Sequence, residues 1–433
     1  MAYHIAEIEV TQPLPTIALA PHENGIAILV RRKGCPIEFW MQARRRGSRL
    51  ETDELARLIS EKTSTRLLSE SIREELRVVA HPKDSAEGSS PSLCIVVCTK
   101  DRPQTLQRCL NSILKIDRID CRSSIEVLVV DNAPSDERTR LIVESLPDVR
   151  YVYEPKSGLD FARNRALHEC KSDLLAFLDD DVVVDKGWYQ GLIEAWRENP
   201  DAGAFTGLVL PLELQTRAQI LFEGTGGFGR GFKKIRFGQT LPGNPVYPCG
   251  AGSFGAGANM ILRRDVLHKL GGFDDALDTG KPLPGGGDLD IFYRVVRGGY
   301  PLVYEPSCTV FHEHRRDLKA LRRQYWSWGL GLMAFVCKCY ETDPSQRTKL
   351  RRLVRWWFFY QLGQLQRSLR RRHMLPPDMI LAELRGAIAG LLGEYGRSQK
   401  RVEKIRRQHT PQDQSTPEKR PAPKNRPVPE DMA

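Results

Sequence analysis

Three consecutive aspartates, Asp179, Asp180 and Asp181, follow the apolar run LLAFL and are the residues of this chain best suited to chemistry. Three carboxylates repel one another in so small a space unless a positive group holds them together. A strand pattern that ends in carboxylates presents hard oxygen ligands at the carboxyl edge of a sheet, where open α/β folds bind ligands. The pattern predicts a Mg²⁺ or Mn²⁺ site for a phosphate-bearing substrate, and the alternative is a solvated acidic turn.

Upstream of the aspartates, apolar strand patterns alternate with helix patterns. SLCIVVCT, EVLVVDN and VRYVYE each predict a buried strand, and a helix pattern follows each of them. Such alternation predicts a parallel sheet whose carboxyl edge collects polar residues and binds a nucleotide diphosphate. The residues predicted at this edge are Thr99, Asp131, Arg163, Asn164, Asp179, Asp180 and Asp181.

Six segments in this order resemble the family 2 glycosyltransferases of the GT-A fold, over about residues 92–315. They are VVCTKDRP, VVDNAPSD, SGLDFARNRAL, FLDDD, GAGANMILRRDVLHKLGGFDD and GGGDLDIFYRV. The resemblance implies an α/β protein with a Rossmann-like mixed sheet flanked by helices. It also implies inverting transfer of a sugar from a nucleotide-diphosphate donor to an acceptor hydroxyl.

The resemblance assigns roles to the polar residues at the sheet edge. Asp131 would face the nucleotide base, and the aspartate cluster, an Asp-x-Asp motif, would bind the ribose and the metal that bridges the two phosphates. Asp181, the last of the cluster, is the predicted metal ligand. Thr99, Arg163, Asn164, Asp179 and Asp180 are predicted to contact the nucleotide sugar.

The segment GGGDLDIFYRV supplies the predicted general base. Asp288 and Asp290 are two residues apart, so on a helix they point in different directions and only one can face the acceptor. By resemblance that residue is Asp288. The chain departs from the family at Gly287, where many relatives carry a glutamate. Asp290 is interpreted instead as a helix N-terminal acid that pairs with Arg294 one turn later.

Two further residues complete the predicted site. Asn259, on the short strand pattern GANMILR, is a predicted contact to the donor sugar or the acceptor, and the alternative is a turn asparagine. His312 and His314 lie two residues apart at the end of an extended segment, a spacing that suits metal ligands. Similar transferases complete the metal site with a histidine there, which favours His312; the alternative is a surface histidine beside Arg315.

The segment boundaries predict five parts of the chain. They are a small N-terminal α+β domain (1–85), a linker (86–91), the GT-A domain (92–315), a basic amphipathic helical region (316–407) and a disordered proline-rich tail (408–433). No positively charged start followed by an apolar stretch and a cleavage site occurs. The ten cysteines match no zinc pattern and are predicted to be reduced, which indicates a cytoplasmic protein.

Positive charge is concentrated in the C-terminal part. From Arg315 to Ala433 the chain has 26 Lys and Arg against 11 Asp and Glu, although the net charge of all 433 residues is only +11. Tryptophan and phenylalanine lie among these arginines, a composition typical of helices in a bilayer interface. We expect contact with an anionic membrane at the inner face of the cell membrane. The alternative is a helical subdomain that covers the catalytic sheet, and no nucleic-acid module accompanies the basic patch.

Together these patterns predict a metal-dependent glycosyltransferase in cell-surface glycan or glycolipid synthesis, with a glycan or lipid-linked acceptor. Two alternatives stay open. A non-catalytic relative would keep the fold as a membrane-binding or glycan-binding module. A sugar-nucleotide nucleotidylyltransferase would also use aspartates and metal, but the turn after the first strand, CTKDRP, contains no glycine.

Overall fold

The computed structural model of the protein describes residues 2–80, 90–117, 125–370 and 375–409. Most of the predicted linker and the predicted tail beyond His409 lie outside these residues. The described chain forms an N-terminal unit, a large mixed sheet with helices on both faces, and a group of C-terminal helices.

The N-terminal unit combines short sheets with one long helix. Its elements are β1 (Ala2–Glu9), β2 (Ile17–Ala18), β3 (Glu23–Arg32), β4 (Cys35–Ala43), β5 (Arg49–Leu50) and α1 (Thr52–Ala80). Lys33 and Gly34 connect β3 to β4 with φ angles of 52° and 81°, which a two-residue type I′ hairpin requires. Arg31 at the base of this hairpin forms an ion pair of 2.5 Å with Asp185 of the central unit.

The central unit is built on a nine-stranded mixed sheet, as the resemblance implies. Its strands are β6 (Leu93–Thr99), β7 (Ile125–Asn132), β8 (Val149–Glu154), β9 (Leu174–Asp179), β10 (Val182–Val184), β11 (Ala204–Pro211), β12 (Ile235–Phe237), β13 (Asn259–Arg263) and β14 (Leu302–His312). The order is β10-β14-β11-β13-β9-β6-β7-β8, with β12 paired to β14. Strands β9, β6, β7 and β8 are mutually parallel, so they end at one edge.

Helices cover both faces of this sheet. They are α2 (Pro103–Ile113), α3 (Arg138–Glu144), α4 (Leu159–Glu169), α5 (Trp188–Glu198), α6 (Arg217–Gly224), α7 (Arg264–Lys269) and α8 (Gly287–Arg297). Alternate residues of β6 enter different cores: Val96 packs on the side of α4 and α8, and Val97 on the side of α2 and α5. Burial on both faces explains why the parallel strands are continuous apolar runs.

The C-terminal helices pack against the central unit and each other. They are α9 (Leu318–Thr342), α10 (Arg347–Leu369), α11 (Pro377–Ala389) and α12 (Tyr395–Gln408). Gly329 of α9 and Gly386 of α11 let the two backbones approach, because a Cβ at either position would lie 2.0 Å from a carbonyl oxygen of the other helix. Among the described residues, none of the helices has the length and apolar character needed to cross a membrane.

One cysteine prediction is wrong. Cys94 of β6 and Cys170, the residue after α4, form a disulfide, whereas the sequence predicts that all thiols are reduced. The two residues are 76 positions apart and both are fully buried, so their proximity depends on the packing of α4 onto the sheet. The other cysteines of the described residues are free thiols.

Candidate active site

The predicted metal ligands converge where β9, β10 and β14 meet. His312 lies opposite Val182 in the antiparallel pairing of β10 with β14, which brings the histidine beside the turn that carries the aspartates. Ligand atoms of Asp179, Asp181 and His312 all lie within 4.8 Å of one another. The structure therefore brings together two carboxylates and an imidazole that are far apart in sequence.

The contact between Asp181 and His312 fits a cation. Oδ1 of Asp181 is buried and accepts no hydrogen bond of good geometry from the described residues, although Nε2 of His312 lies 3.2 Å away. If Nε2 is unprotonated, two lone pairs face each other and repel unless a positive ion lies between them. Carboxylate oxygens and an imidazole nitrogen form a donor set suited to Mn²⁺, and water or phosphate oxygens would complete the coordination.

Charges around the aspartates shift their pKa values in opposite directions. Burial, and then the neighbouring Asp181, raise the pKa of Asp179 to about 6. Burial would also raise the pKa of Asp181, but His312, Arg102 and Arg315 together lower it below its usual range. The cluster therefore keeps at least one fully ionised carboxylate at neutral pH, as a hard-cation ligand needs.

Arg102 and Arg315 are part of this site and were not predicted. Nη1 of Arg102 donates to Asp180 at 2.9 Å and to Asp181 at 3.1 Å, and Nη1 of Arg315 lies 3.8 Å from Asp181. Both line an open cavity of about 380 Å³ beside Asp181. The sequence contained a signal for both arginines, because Arg102 follows the end of β6 and Arg315 follows the end of β14 at the same edge of the sheet.

Thr99 and Asp131 lie at the ends of adjacent strands, as predicted. Oγ1 of Thr99 donates to Asp180 at 2.6 Å, so Thr99 holds the cluster rather than standing free in the cleft. Asp131 accepts a hydrogen bond of 3.0 Å from the Tyr151 hydroxyl, and its Oδ1 has no partner among the described residues. Burial raises the pKa of Asp131 to about 6, a shift that the Tyr151 hydrogen bond opposes.

Arg163 and Asn164 are structural in this arrangement. Arg163 is buried, donates to Asp160 at 2.9 Å and lies 3.4 Å from Asp278. The Asn164 amide donates to the Phe273 carbonyl at 2.9 Å and to Asp275 at 2.6 Å, and it accepts from the Phe273 N–H. These hydrogen bonds hold the glycine-rich loop and use both N–H groups of the Asn164 amide. The predicted contact of Asn164 with a nucleotide sugar stays a prediction.

The two aspartates of α8 have the separate environments that their spacing predicts. Asp288 is half-buried, and its carboxylate accepts from the Gly257 N–H at 3.2 Å and from the Leu289 N–H at 2.8 Å. Asp290 is fully buried and pairs with Arg294 at 2.7 Å and with Lys338 of α9. Asp288 is thus the carboxylate of the pair that is accessible for chemistry, and Asp290 joins α8 to α9.

The glycine at 287 leaves space that two other carboxylates fill. A Cβ at Gly287 would lie 2.2 Å from Oδ2 of Asp160 and 2.5 Å from Oδ2 of Asp278, and the Gly287 N–H donates to Asp278 at 2.9 Å. Burial, and then the proximity of Asp278, raise the pKa of Asp160 well above its usual value. Neither aspartate was singled out in the sequence, because α4 and the loop before α8 meet only in the fold.

Asn259 does not reach the cleft. Its amide donates to the Cys308 carbonyl at 2.7 Å and to the Leu208 carbonyl at 3.3 Å, and its oxygen accepts from the Trp188 indole at 3.0 Å. The side chain is fully buried. The contact of Asn259 with a donor sugar or acceptor stays a prediction, and in this structure its amide is hydrogen-bonded to Trp188, Leu208 and Cys308.

His314 and Glu223 lie behind the metal-binding residues. Nδ1 of His312 is 3.0 Å from Nδ1 of His314, and Nε2 of His314 is 3.0 Å from Glu223 of α6. Burial lowers the pKa of His314 below its usual value, against the raising effect of Glu223. The sequence analysis identified His314 by its spacing from His312. Nothing in the sequence indicated Glu223, which is 91 residues away from His314.

Comparisons with known proteins identify the family of this chain. The family described as "Glycosyl transferase family 2" matches residues 94–271. Succinoglycan biosynthesis protein ExoM of Rhizobium meliloti is 31% identical over 243 residues, which cover 54% of this chain and 72% of that protein. The chain belongs to the family 2 glycosyltransferases.

Another relative and a solved structure match the chain at lower sequence identity. The pre-mycofactocin glycosyltransferase of Mycobacterium tuberculosis is 28% identical over 250 residues, and these cover 56% of this chain but only 47% of that protein. The chain thus spans about half the length of that relative. The mannosyltransferase PcManGT from Pyrobaculum calidifontis, solved with GDP-Man and Mn²⁺, is 17% identical with a TM-score of 0.46, covering 77% of this chain and 87% of that one.

Replacing Asn259 tests its structural role. We expect Asn259→Leu to lower the free energy of unfolding by ~1–3 kcal/mol, because it leaves the buried Trp188 indole N–H without a partner. Urea denaturation measures the change. In a Trp188→Phe background, which has no such N–H, the same substitution should cost less; equal costs in both backgrounds would contradict the assigned hydrogen bond.

Proposed function

We propose that this protein is a metal-dependent, inverting glycosyltransferase that moves a sugar from a nucleotide-diphosphate donor to an acceptor hydroxyl. The observation that carries the proposal is the convergence of Asp179, Asp181 and His312, with an orphaned carboxylate oxygen, beside Arg102 and Arg315. Its relatives named for succinoglycan and O-antigen biosynthesis favour a product in cell-surface glycan or glycolipid synthesis.

The donor would bind across the carboxyl edge of the parallel strands. Asp131, with a free carboxylate oxygen, is suited to accept an N–H of the nucleotide base. Asp179, Asp181 and His312 would hold Mg²⁺ or Mn²⁺, which supplies Lewis-acid stabilisation of charge on the diphosphate. Arg102 and Arg315 lie close enough to this position to bind phosphate oxygens, and their bonds to the aspartates keep them oriented.

Asp288 is the proposed general base. A carboxylate held near the acceptor hydroxyl removes its proton as the oxygen attacks the anomeric carbon, which inverts that centre as the diphosphate leaves. The Gly257 and Leu289 N–H groups orient this carboxylate. Asp290 cannot share the role, because Arg294 and Lys338 occupy its carboxylate.

The outer face of α10 is the proposed membrane contact. Trp356 and Phe359 are 57% and 68% exposed, and helical periodicity places them on the same face as Arg352 and Arg355. Exposed aromatic rings among arginines suit the interface of an anionic bilayer, where each basic residue contributes ~1 kcal/mol. Helix α9, in contrast, packs on α8 and serves the alternative role of covering the central unit.

The two alternative functions lose support from these contacts. A non-catalytic relative has no need for an orphaned, buried Asp181 oxygen, since such an oxygen costs stability without a ligand. A nucleotidylyltransferase requires a triphosphate loop after the first strand, and here that turn instead carries Arg102 paired to the aspartates.

The first prediction from the proposed function concerns the affinity of the metal site. We expect Asp181→Asn to weaken Mn²⁺ binding at least ~10-fold, because a charged ligand is replaced by a neutral amide. Calorimetric titration with Mn²⁺ measures the affinity, and Asp148→Asn, an exposed loop aspartate, is the matched control. Equal affinities for Asp181→Asn and the wild-type protein, or nucleotide binding that is unaffected by EDTA, would exclude the metal site.

Asp288 and Asp290 give opposite predictions. Asp288→Asn should reduce turnover of a nucleotide-sugar panel at least ~10²-fold with little change in melting temperature, because the amide cannot take a proton. Asp290→Asn should lower the melting temperature, through the lost pairs with Arg294 and Lys338, and retain more activity per folded molecule. The reverse pattern, or retention of the donor's anomeric configuration in the product, would refute the assignment.

Vesicle sedimentation tests the α10 surface. The double variant Trp356→Ala, Phe359→Ala should lose most of its binding to vesicles that contain phosphatidylglycerol, because the inserted apolar area is removed. Leu68→Ala with Leu76→Ala is the matched control, since these leucines on α1 are 63% and 61% exposed. A wild-type protein that stays in the supernatant, or equal losses in both double variants, would rule out this surface.

A further inference from the structure

Four buried side chains form a continuous chain of contacts that leads away from the proposed metal site. Asp181 contacts His312 at 3.2 Å, His312 contacts His314 at 3.0 Å, and His314 contacts Glu223 at 3.0 Å. His312 and His314 are 4% and 2% exposed. The two contacts of this chain beyond His312 are stable only if each has one proton and one lone pair.

We propose that His314 and Glu223 are positioning residues that hold His312 in the tautomer able to bind the metal. This inference rests on the proposed metal-dependent function. For Nε2 of His312 to bind a cation, its proton must lie on Nδ1. That N–H then donates to Nδ1 of His314, which must therefore be the unprotonated nitrogen of its ring. The remaining proton of His314 lies on Nε2 and is donated to Glu223.

The links from His312 to His314 and from His314 to Glu223 are satisfied without charging either ring, and the contact of His312 with Asp181 is left for a cation. A carboxylate can only accept, so Glu223 fixes the proton of His314 on Nε2 and leaves Nδ1 of His314 as an acceptor. The opposite tautomer of His312 would bring two lone pairs together at the Nδ1 contact. Glu223 thereby determines, through one intervening ring, which nitrogen of His312 faces Asp181.

Aromatic packing keeps both rings from rotating. The Phe222 ring lies 4.7 Å from the His314 ring and the Phe228 ring lies 5.0 Å from the His312 ring, both edge-on. Trp328 of α9 contacts both phenylalanines, with ring centroids 5.5 and 5.7 Å apart. A ring flip of either histidine would have to displace this cluster, so the hydrogen-bond chain and the packing select the same orientation.

The first test measures the tautomer in the wild-type protein with saturating Mg²⁺, a diamagnetic ion, because without a cation the Asp181 carboxylate would itself favour a proton on Nε2 of His312. Long-range ¹H–¹⁵N spectra of ¹⁵N-histidine-labelled protein distinguish a protonated from an unprotonated ring nitrogen, and comparison with His312→Asn assigns the His312 signals. We expect the proton of His312 on Nδ1 and that of His314 on Nε2. A proton on Nε2 of His312 would overturn the proposal.

The second test measures Mn²⁺ affinity by calorimetry. His314→Phe keeps an aromatic ring but has no acceptor, and we expect it to weaken Mn²⁺ binding ~10–100-fold. His314→Asn places an oxygen where Nδ1 was and should recover most of the affinity. His268→Phe, an exposed histidine on α7, is the matched control and should bind as the wild type does.

The outcomes separate the two proposals. Wild-type affinity in His314→Phe would overturn the positioning role while leaving the metal site intact. Absence of Mn²⁺ binding in the wild-type protein would instead contradict the metal-dependent function. The tautomer measurement uses the wild-type protein, so it judges the contact chain even if His314→Phe does not fold.

Discussion

Negative charge buried at one edge of the sheet is the constraint on which the rest of the structure depends. Asp179, Asp180 and Asp181 follow a strand that is buried on both faces, so their carboxylates cannot turn away into solvent. Positive groups therefore reach them from separate parts of the chain: Arg102 after β6, His312 at the end of β14 and Arg315 beyond it. The strand order allows these positive groups to reach the aspartates, because it places β6 beside β9 and β14 beside β10.

Buried carboxylates around α8 also have positively charged partners. Asp160, Asp278 and Asp290 are buried beside the helix that presents Asp288, and Arg163, Arg294 and Lys338 compensate them. Removing one partner of a buried pair is costly because the other is left unpaired. Gly287 is compatible with these buried carboxylates because it has no side chain. The carboxylates of Asp160 and Asp278 already occupy the space that a Cβ at position 287 would need.

The sequence predicted the features that local pattern controls. Continuous apolar runs identified the parallel strands, strand ends identified the edge that carries Thr99, Asp131 and the aspartate cluster, and i,i+4 spacing identified the pair of Asp290 with Arg294. It failed where partners are distant in sequence. The hydrogen bonds of Asn259 with Trp188 and Cys308 could not be predicted, because these partners lie 71 and 49 positions away. The link from His314 to Glu223 and the pairing of Cys94 with Cys170 were hidden for the same reason.

The contacts of α9 show that the C-terminal helices are packed against the residues that support the proposed site. Lys338 pairs with Asp290 and with Asp274, and Trp328 packs on the phenylalanines that enclose His312 and His314. One helix therefore contacts both the support of the proposed base and the support of the proposed metal site. Because α11 packs closely on α9, and α10 packs on α11, the exposed face of α10 belongs to the same group of packed helices as α9. The proposed membrane contact and the supports of the proposed site therefore lie in one packed layer.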